Sequence, residues 1–357
     1  MDKLYRYSDL SCGKRKSGVI CTFVEKGNLR YSSSTRRETA NITNGIERLK
    51  KIMMRSIKEL LRDNLIWICF LGVGLLIVGQ FISIFTNPFP LPNYFNNNFK
   101  STFNIYVNFW GIWIAFILFC IIFKAKNKVI LDSVKYNKNY NDFKMLMLGF
   151  LIGFVLNGFC AAVAILHGDI KLTFHKFEIV NLILLFIAVF IQSSSEELIF
   201  RGFIYQRLKN RYKNIEFAII VNSILFAVLH LGNDGMSVTG FIDILLSGVF
   251  FSLMFCAFDS IWLVMACHTT WNFTQNILLG LPNSGTVPKY SLFIMDINSA
   301  TSSFAFDKNF GLEGAALSTT LMFIGCVIMY IYCKKNNKFV FRLSNYGDGN
   351  KRNVRIK

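Results

Sequence analysis

Long apolar stretches restrict this chain to a membrane fold. Several of them are about 20 residues long, enough to cross a hydrocarbon core about 30 Å thick as helices. Of the 357 residues, 53% are hydrophobic and 17% are charged, whereas soluble domains carry about 25% charged residues. Because lipid offers the backbone no hydrogen-bond partners, helices are the expected spanning element. The sequence therefore predicts an all-α fold, a polytopic transmembrane helical bundle of about eight spans. The predicted spans are 65–85, 104–123, 145–167, 178–203, 217–231, 238–258, 261–281 and 312–333.

The formal charge of +18 is distributed unevenly along the chain. Lysine and arginine are dense before the first span, after the second and fourth spans, and in the tail. The loop at 86–103 contains only Lys100, and the loop at 282–311 contains only Lys289 and Lys308. This alternation is the positive-inside pattern, and it predicts a multi-pass protein of the cell membrane with both termini cytoplasmic. Topology and contact with anionic membrane lipids then explain the basic charge, and no nucleic-acid partner is expected.

The segments outside the spans differ in composition. Residues 1–42 are polar and lack a clear period, which is typical of a flexible basic cytoplasmic arm. Residues 43–64 place apolar residues at helical spacing between basic ones, which fits an interfacial amphipathic helix or a plain extension of the first span. The transmembrane bundle is predicted over 65–333, and a basic cytoplasmic tail over 334–357.

Small residues inside the spans give two further indications. Gly149 and Gly153, in the third span, are four positions apart, a spacing that lets two helices approach each other closely. The nine cysteines are scattered and form no CxxC pair. Neither a disulfide framework nor a cysteine zinc site is therefore predicted.

Three ionisable side chains lie inside the fourth predicted span, where the sequence reads EELIFR. A carboxylate at the centre of a membrane helix costs at least about 2.5–3.5 kcal/mol on insertion scales, so such residues usually face a bundle interior or a watery cavity. Glu197 and Arg201 are one helical turn apart and can form an ion pair. Glu196 points about 100° away from them around the helix, so it is free to face a cavity.

Two of the four histidines lie in other spans. His230 ends the fifth span, one turn after Phe226, whose ring can pack against the imidazole. His268 lies in the seventh span, one turn before Asn272. At 1.5 Å per residue from the cytoplasmic ends, Glu196, His230 and His268 lie about 16, 20 and 12 Å deep. Groups of such similar depth on three helices are expected to line one cavity.

A cavity with these side chains has the groups needed to hydrolyse a peptide bond. A carboxylate beside a histidine can take a proton from water. A second histidine and an amide can donate hydrogen bonds to the oxyanion that forms. Alternatively, Glu196, His230 and His268 would hold a divalent metal, zinc, and leave one position for water. The common helix-borne motif HExxH is absent, and the residues leave both the metal-free and the zinc mechanism open.

Three short motifs together resemble those of a known family. EELIFR, at 196–201, is similar to the EExxxR motif of the CPBP family of intramembrane proteases. These proteases are relatives of the CAAX prenyl endopeptidase Rce1 and are also called the Abi family. FAVLH, at 226–230, resembles the family's FxxxH motif, and HTTWN, at 268–272, resembles its HxxxN motif. The motifs occur in the family's order on separate spans, and the resemblance covers about 178–280.

The resemblance implies a role for each matched position. Glu196 would activate the water with help from His230, and His268 and Asn272 would stabilise the oxyanion. Glu197 and Arg201, the other two residues of the first motif, would hold the site together. The implied catalytic set is Glu196, Glu197, Arg201, His230, His268 and Asn272.

The resemblance also implies a reaction class and a setting. It implies an intramembrane endopeptidase, a hydrolase that cuts a membrane-associated peptide or protein substrate. Bacterial relatives act in peptide and pheromone processing and in bacteriocin processing or immunity. The family's cavity opens to the cytosol, and the same opening is expected here.

A function of another class fits the same buried residues. In a transporter or an immunity scaffold, they would form an ion path or a structural ionisable network. Asn272 beside His268 favours the protease, because an oxyanion site needs an amide donor and a proton path does not. A third hypothesis is an inactive family member that binds a partner through its basic arm.

Overall fold

The structure is a computed structural model, and it describes residues 11–15, 18–22, 64–86 and 89–340. Residues 43–63 of the predicted amphipathic helix lie outside the described residues. Most of the predicted arm and the tail beyond residue 340 also lie outside them. Within the predicted arm, strand β1 (Ser11–Arg15) pairs antiparallel with β2 (Gly18–Thr22), and Ser11 lies opposite Thr22. This hairpin belongs to a unit separate from the rest of the chain.

The second unit is a helical bundle, as the sequence predicts. Two π-helical segments, in which the helix is wider than an α-helix, interrupt its helices. The elements in chain order are α1 (Leu65–Phe85), α2 (Asn97–Val107), α3 (Trp110–Ile122), α4 (Lys124–Val134), α5 (Phe143–His167), β3 (Leu172–Phe174), α6 (Ile179–Glu197), π1 (Leu198–Tyr205), α7 (Gln206–Tyr212), α8 (Ile215–Leu229), α9 (Val238–Phe258), α10 (Ile261–Asn272), π2 (Phe273–Leu278), β4 (Phe293–Met295), a 3₁₀ turn (Leu312–Gly314) and α11 (Ala316–Lys335).

Each predicted span coincides with a helix, but their lengths differ. In the described part of the chain, six helices are long and apolar enough to cross a membrane, with Asn97–Ile122 and Ile179–Tyr212 each counted as one. The fifth predicted span is the shorter α8, and the seventh is α10 continued by π2, which carries polar residues. The eighth begins at Ala316 and not at residue 312, because Leu312–Gly314 form a separate turn.

Side-chain caps explain where several helices begin. Asn, Asp and Ser favour this position because their side-chain oxygen accepts a hydrogen bond from a free N–H of the first helical turn. The residues that cap a helix in this way are Asn64, Asn96, Asp142, Asn214, Ser237 and Ser260. Helix α5 ends at Gly168, whose φ of 88° is left-handed and suits a residue without a side chain.

Helix α9 lies at the centre of the bundle. In the most apolar 18-residue stretch of α9, 67% is buried. The corresponding buried share is 22% in α1 and in α11, so the first and last helices are peripheral. Helix α9 packs between α8 and α11, and α10 packs between α5 and α6. Many large apolar side chains of the outer helices stay exposed, as expected for surfaces that face lipid.

The glycine pair of α5 lies directly against α10. A Cβ atom at Gly149 would lie 2.2 Å from the backbone oxygen of Leu263, and one at Gly153 would lie 2.1 Å from that of Cys267. Only glycine allows this approach, so the close helix contact predicted from the spacing is present. The contact matters for function because α10 carries His268.

We expect Gly153→Ala to destabilise the bundle by about 1–3 kcal/mol, the usual cost of overpacking a core. The matched control is Gly158→Ala in the same helix, where an added Cβ meets nothing within 4 Å. There, alanine's higher helix propensity should leave stability equal or slightly raised. Thermal unfolding in detergent, followed by tryptophan fluorescence, measures both. Equal midpoints for the two variants would contradict the described packing.

One end of the bundle is formed by residues 124–142, 206–214, 259–260 and 336–340, called here the basic end. The backbone N–H of Leu65 donates to the hydroxyl of Tyr212 at 2.8 Å, and Lys338 pairs with Asp259 at 3.1 Å. Described basic residues of this end are Lys124, Lys128, Lys135, Lys138, Arg207, Lys209, Arg211, Lys213 and Lys338.

The opposite end, called here the loop end, is formed by residues 168–178, 230–237 and 279–315. Strands β3 and β4 pair antiparallel within it, with Thr173 opposite Ile294. The side chain of Asn233 donates to the backbone oxygen of Ser284 at 3.1 Å, which ties two of its loops together. The carboxylate and lysine residues of the loop end are Asp169, Lys171, Lys176, Glu178, Asp234, Lys289, Asp296, Asp307, Lys308 and Glu313.

Candidate active site

The three motifs lie where helices change their winding or end. Segment π1 begins directly after Glu197, and π2 begins directly after Asn272. His230 is the first residue after α8. Short π-helical segments are rare and often occur at functional sites. The polar residues of the sequence motifs therefore coincide with local departures from the regular α-helix.

Glu197 is the centre of a buried charged network. Its Oε1 atom accepts a hydrogen bond from Arg201 Nη1 at 2.9 Å, which confirms the predicted pair. The same oxygen lies 2.9 Å from Nδ1 of His268, a contact between α6 and α10 that the sequence did not predict. The side chains of Glu197 and Arg201 have no exposed surface. Glu197 therefore holds His268 in place and is shielded from solvent.

Arg201 is enclosed by backbone and aromatic rings. Its Nη2 donates to the backbone oxygen of Gly248 in α9 at 2.9 Å. The guanidinium carbon lies 4.9 Å from the ring centre of Phe226 and 5.4 Å from that of Phe251, within the range of cation–π attraction. Arg201 thus connects π1 with α8 and α9, the helices that surround the site.

Glu196 faces the other way, as its position in the sequence predicts. Its side chain retains 12% exposure and lines a cavity, whereas that of Glu197 is fully buried. Its Oε1 accepts a hydrogen bond from Gln192 at 2.6 Å, and its Oε2 lies 3.9 Å from His268 Nε2, too far for a hydrogen bond. The two neighbouring glutamates therefore have separate environments, one open and one closed.

Gln192 links the motif residues of two helices. While its amide nitrogen donates to Glu196, its Oε1 accepts from Asn272 Nδ2 at 3.1 Å. The same Asn272 nitrogen donates to Ser193 Oγ at 3.2 Å, and Asn272 Oδ1 accepts from Asn283 at 3.1 Å. The structure thus brings Asn272 into the network through Gln192 and holds it from the loop end through Asn283.

The two site histidines have different partners at Nδ1. In His230, Nδ1 lies 2.7 Å from the backbone oxygen of Phe226, so it carries the proton and leaves Nε2 as an acceptor. In His268, Nδ1 lies 2.9 Å from the carboxylate of Glu197, which leaves Nε2 as the ring nitrogen directed towards Glu196. The rings of Phe226 and His230 pack with centres 4.5 Å apart, as predicted.

A cavity of about 350 Å³ joins these groups. Glu196, His230, His268 and Asn272 all line it. The other polar residues of its wall are Gln80, Gln192, Asn233, Ser247, Asn283, Ser284, Thr286 and Glu313. The predicted convergence of three helices on one cavity is therefore present.

Several residues of the cavity wall were not found from the sequence. Gln192 lies one turn before Glu196 on the same helix face, so its spacing was a usable signal. Asn283 and Glu313 lie in irregular loop segments, where no periodicity marks a functional side chain. Glu313 accepts hydrogen bonds from Trp271 at 2.9 Å and from the backbone of Ser284 at 2.8 Å, and thereby joins α10 to the loop end.

The residues proposed as zinc ligands were Glu196, His230 and His268. Among the described residues, no three His, Cys, Asp or Glu side chains are grouped so that they could hold a metal ion. His268 uses Nδ1 to bind Glu197, and its Nε2 is directed towards Glu196 at 3.9 Å. In this arrangement, the side chains do not fit a zinc site.

Comparison with known proteins agrees with this geometry. Residues 178–274 match the family described as Rce1-like, type II CAAX prenyl endopeptidase. This segment forms an Rce1-like domain. It contains all three motifs and confirms the family inferred from them. None of the curated proteins matches the chain. The Rce1-like domain and the apolar helices identify a multi-pass membrane protein that contains a domain similar to CAAX-type endopeptidases.

The cavity is not built by the Rce1-like domain alone. One mostly apolar side is formed by α1–α3, which precede the matched segment and contribute Leu76, Ile105, Phe109 and Ile112 together with the polar groups of Gln80 and Tyr106. Loop residues after the domain contribute amides and hydroxyls to the opposite part. The domain therefore supplies the motif residues of the cavity, while the flanking helices and loops shape the space around them.

Proposed function

We propose that this protein is an intramembrane endopeptidase that hydrolyses a peptide bond of a membrane-associated peptide or protein with a water molecule activated by Glu196. The observation that carries the proposal is the division between the two glutamates. Glu197 is buried in a charged network, whereas Glu196 faces a cavity shared with two histidines. The carboxylate of Glu197 thus has a structural role, and that of Glu196 is available to a water molecule.

Water activation is assigned to Glu196 with His230. Because its Nδ1 donates to a backbone oxygen, the singly protonated ring of His230 would present Nε2 as an acceptor for a hydrogen bond from the attacking water. Glu196 takes the proton as the water oxygen bonds to the carbonyl carbon, and it then gives this proton to the departing amine nitrogen. The peptide bond breaks with no net change in protons on the enzyme.

Stabilisation of the oxyanion is assigned to His268. With Nδ1 bound to Glu197, a doubly protonated ring would present Nε2–H towards the cavity. Such a preorganised donor in a site shielded from water stabilises the charge that develops in the transition state.

Asn272 is assigned first to positioning. Its amide nitrogen donates to Gln192, which in turn donates to Glu196, so it controls where the catalytic carboxylate points. The role implied by the family resemblance, donation to the oxyanion, would require Asn272 to exchange these hydrogen bonds when substrate enters. Apo geometry often tightens or rearranges in this way on substrate binding.

We expect His230→Ala to lower the cleavage rate about 10²-fold or more, the contribution typical of a residue that assists proton transfer. The measurement compares the peptides released from membranes that contain either protein. The matched control is His167→Ala, since His167 pairs with Asp169 at the loop end and does not line the cavity. Full cleavage by a folded His230→Ala variant would refute the endopeptidase assignment in its present form.

A further inference from the structure

The polar wall of the cavity is continuous with the loop end. The backbone oxygen of His230 accepts from the N–H of Asn233 at 3.0 Å, and the Asn233 side chain donates to the backbone of Ser284. Ser284 donates in turn to Glu313. Asn233, Ser284, Thr286 and Glu313 all line the cavity, whereas among the described residues none of the basic end does.

The position of His230 along its helix agrees with this arrangement. Helix α8 starts next to the basic end and has 15 residues, so it is about 22 Å long. In a hydrocarbon core about 30 Å thick, His230 then lies about 8 Å from the surface at the loop end. On the other side of Glu196, all side chains of Leu198–Tyr205 are buried and pack the bundle.

Charge distinguishes the two membrane surfaces. Lysine and arginine dominate the basic end, whereas the loop end carries six carboxylates and four lysines among its described residues. Short loops rich in lysine and arginine stay on the cytoplasmic side of a membrane. The loop end, and with it the polar wall of the cavity, is therefore on the extracytoplasmic side.

From these observations, we propose that the catalytic cavity is reached from the extracytoplasmic side, and that its substrate is a membrane-anchored, apolar polypeptide segment exposed there. The apolar character follows from the side of the cavity formed by α1–α3. This assignment is opposite to the cytosolic opening implied by the family resemblance. The class of substrate rests on the proposed function, but the side of access does not.

Cysteine labelling in intact cells tests the side of access without any need for cleavage. The full chain is expressed in a bacterial plasma membrane with Thr286→Cys or Leu229→Cys, two positions that line the cavity. The control is Lys138→Cys, an exposed position at the basic end. The probe is a charged maleimide that does not cross membranes. We expect it to label Thr286→Cys and Leu229→Cys in intact cells, and to label Lys138→Cys only after permeabilisation.

The unsubstituted chain sets the background; within residues 64–340 its cysteines are buried except Cys69, which is partly buried. Labelling of each variant after solubilisation in detergent shows that the introduced thiol is reactive. Labelling of Lys138→Cys in intact cells would overturn the proposed orientation. Protection of both cavity positions in intact cells would overturn access from that side. Either result would leave the assignment of catalytic residues to be tested by the cleavage assay.

Discussion

Glu196→Gln should lower cleavage about 10²- to 10⁴-fold, the range that general acid–base catalysis contributes. Glutamine keeps the size of the side chain and can still bond to Gln192, but it cannot take a proton from water. Because Glu196 lines the cavity and, among the described residues, forms no ion pair shorter than 3.9 Å, the variant should fold and insert normally. The measurement is a comparison of membrane peptides, in which the natural substrate should accumulate uncut.

Two matched variants separate catalysis from folding. Glu216→Gln makes the same chemical change at an exposed position outside the cavity and should leave cleavage unchanged. Glu197→Gln should reduce the yield of folded protein as well, since it weakens the partner of Arg201 and of His268. If Glu196→Gln retained full cleavage, the proposed mechanism would be wrong.

Arg201→Met is expected to destabilise the folded protein by about 3–5 kcal/mol, the cost of removing one partner from a buried ion pair. The substitution leaves the carboxylate of Glu197 without its charge partner in a fully buried position. It also removes the hydrogen bond to Gly248 and the contacts with Phe226 and Phe251. Thermal unfolding in detergent and the yield of monodisperse protein measure the loss.

The control for this prediction is Arg211→Met, which removes the same charge at an exposed position and should change stability little. A double variant, Glu197→Leu with Arg201→Met, removes both charges and should recover part of the lost stability. The described pairing would be contradicted if Arg201→Met were as stable as the control.

The recognisable part of the site is local in the chain. Glu197 and Arg201 are one turn apart, as are Phe226 and His230, and in each pair the structure has the contact that this spacing predicts. The period of the α-helix alone places such side chains on one face. The glycine spacing in α5 predicts a close approach to another helix at Gly153, but it does not identify that helix, which is α10 in the structure.

Contacts between distant segments were not predictable in the same way. Glu197 and His268 are 71 positions apart, and their hydrogen bond depends on how α6 and α10 pack. Their spacing on one helix predicts that His268 and Asn272 act side by side. In the structure, His268 is held by Glu197 and Asn272 by Gln192, two partners on α6.

The amino-acid sequence alone indicates the class of the protein and marks the ionisable side chains within its spans. Apolar runs of bilayer length require spanning helices, and ionisable groups within them are costly enough to mark a site. Packing between helices determines which glutamate is enclosed and which is open, and it brings loop amides and α1–α3 to the cavity. The helical repeat fixes which side chains are neighbours within one turn, whereas contacts between more distant residues depend on how helices and irregular loops pack.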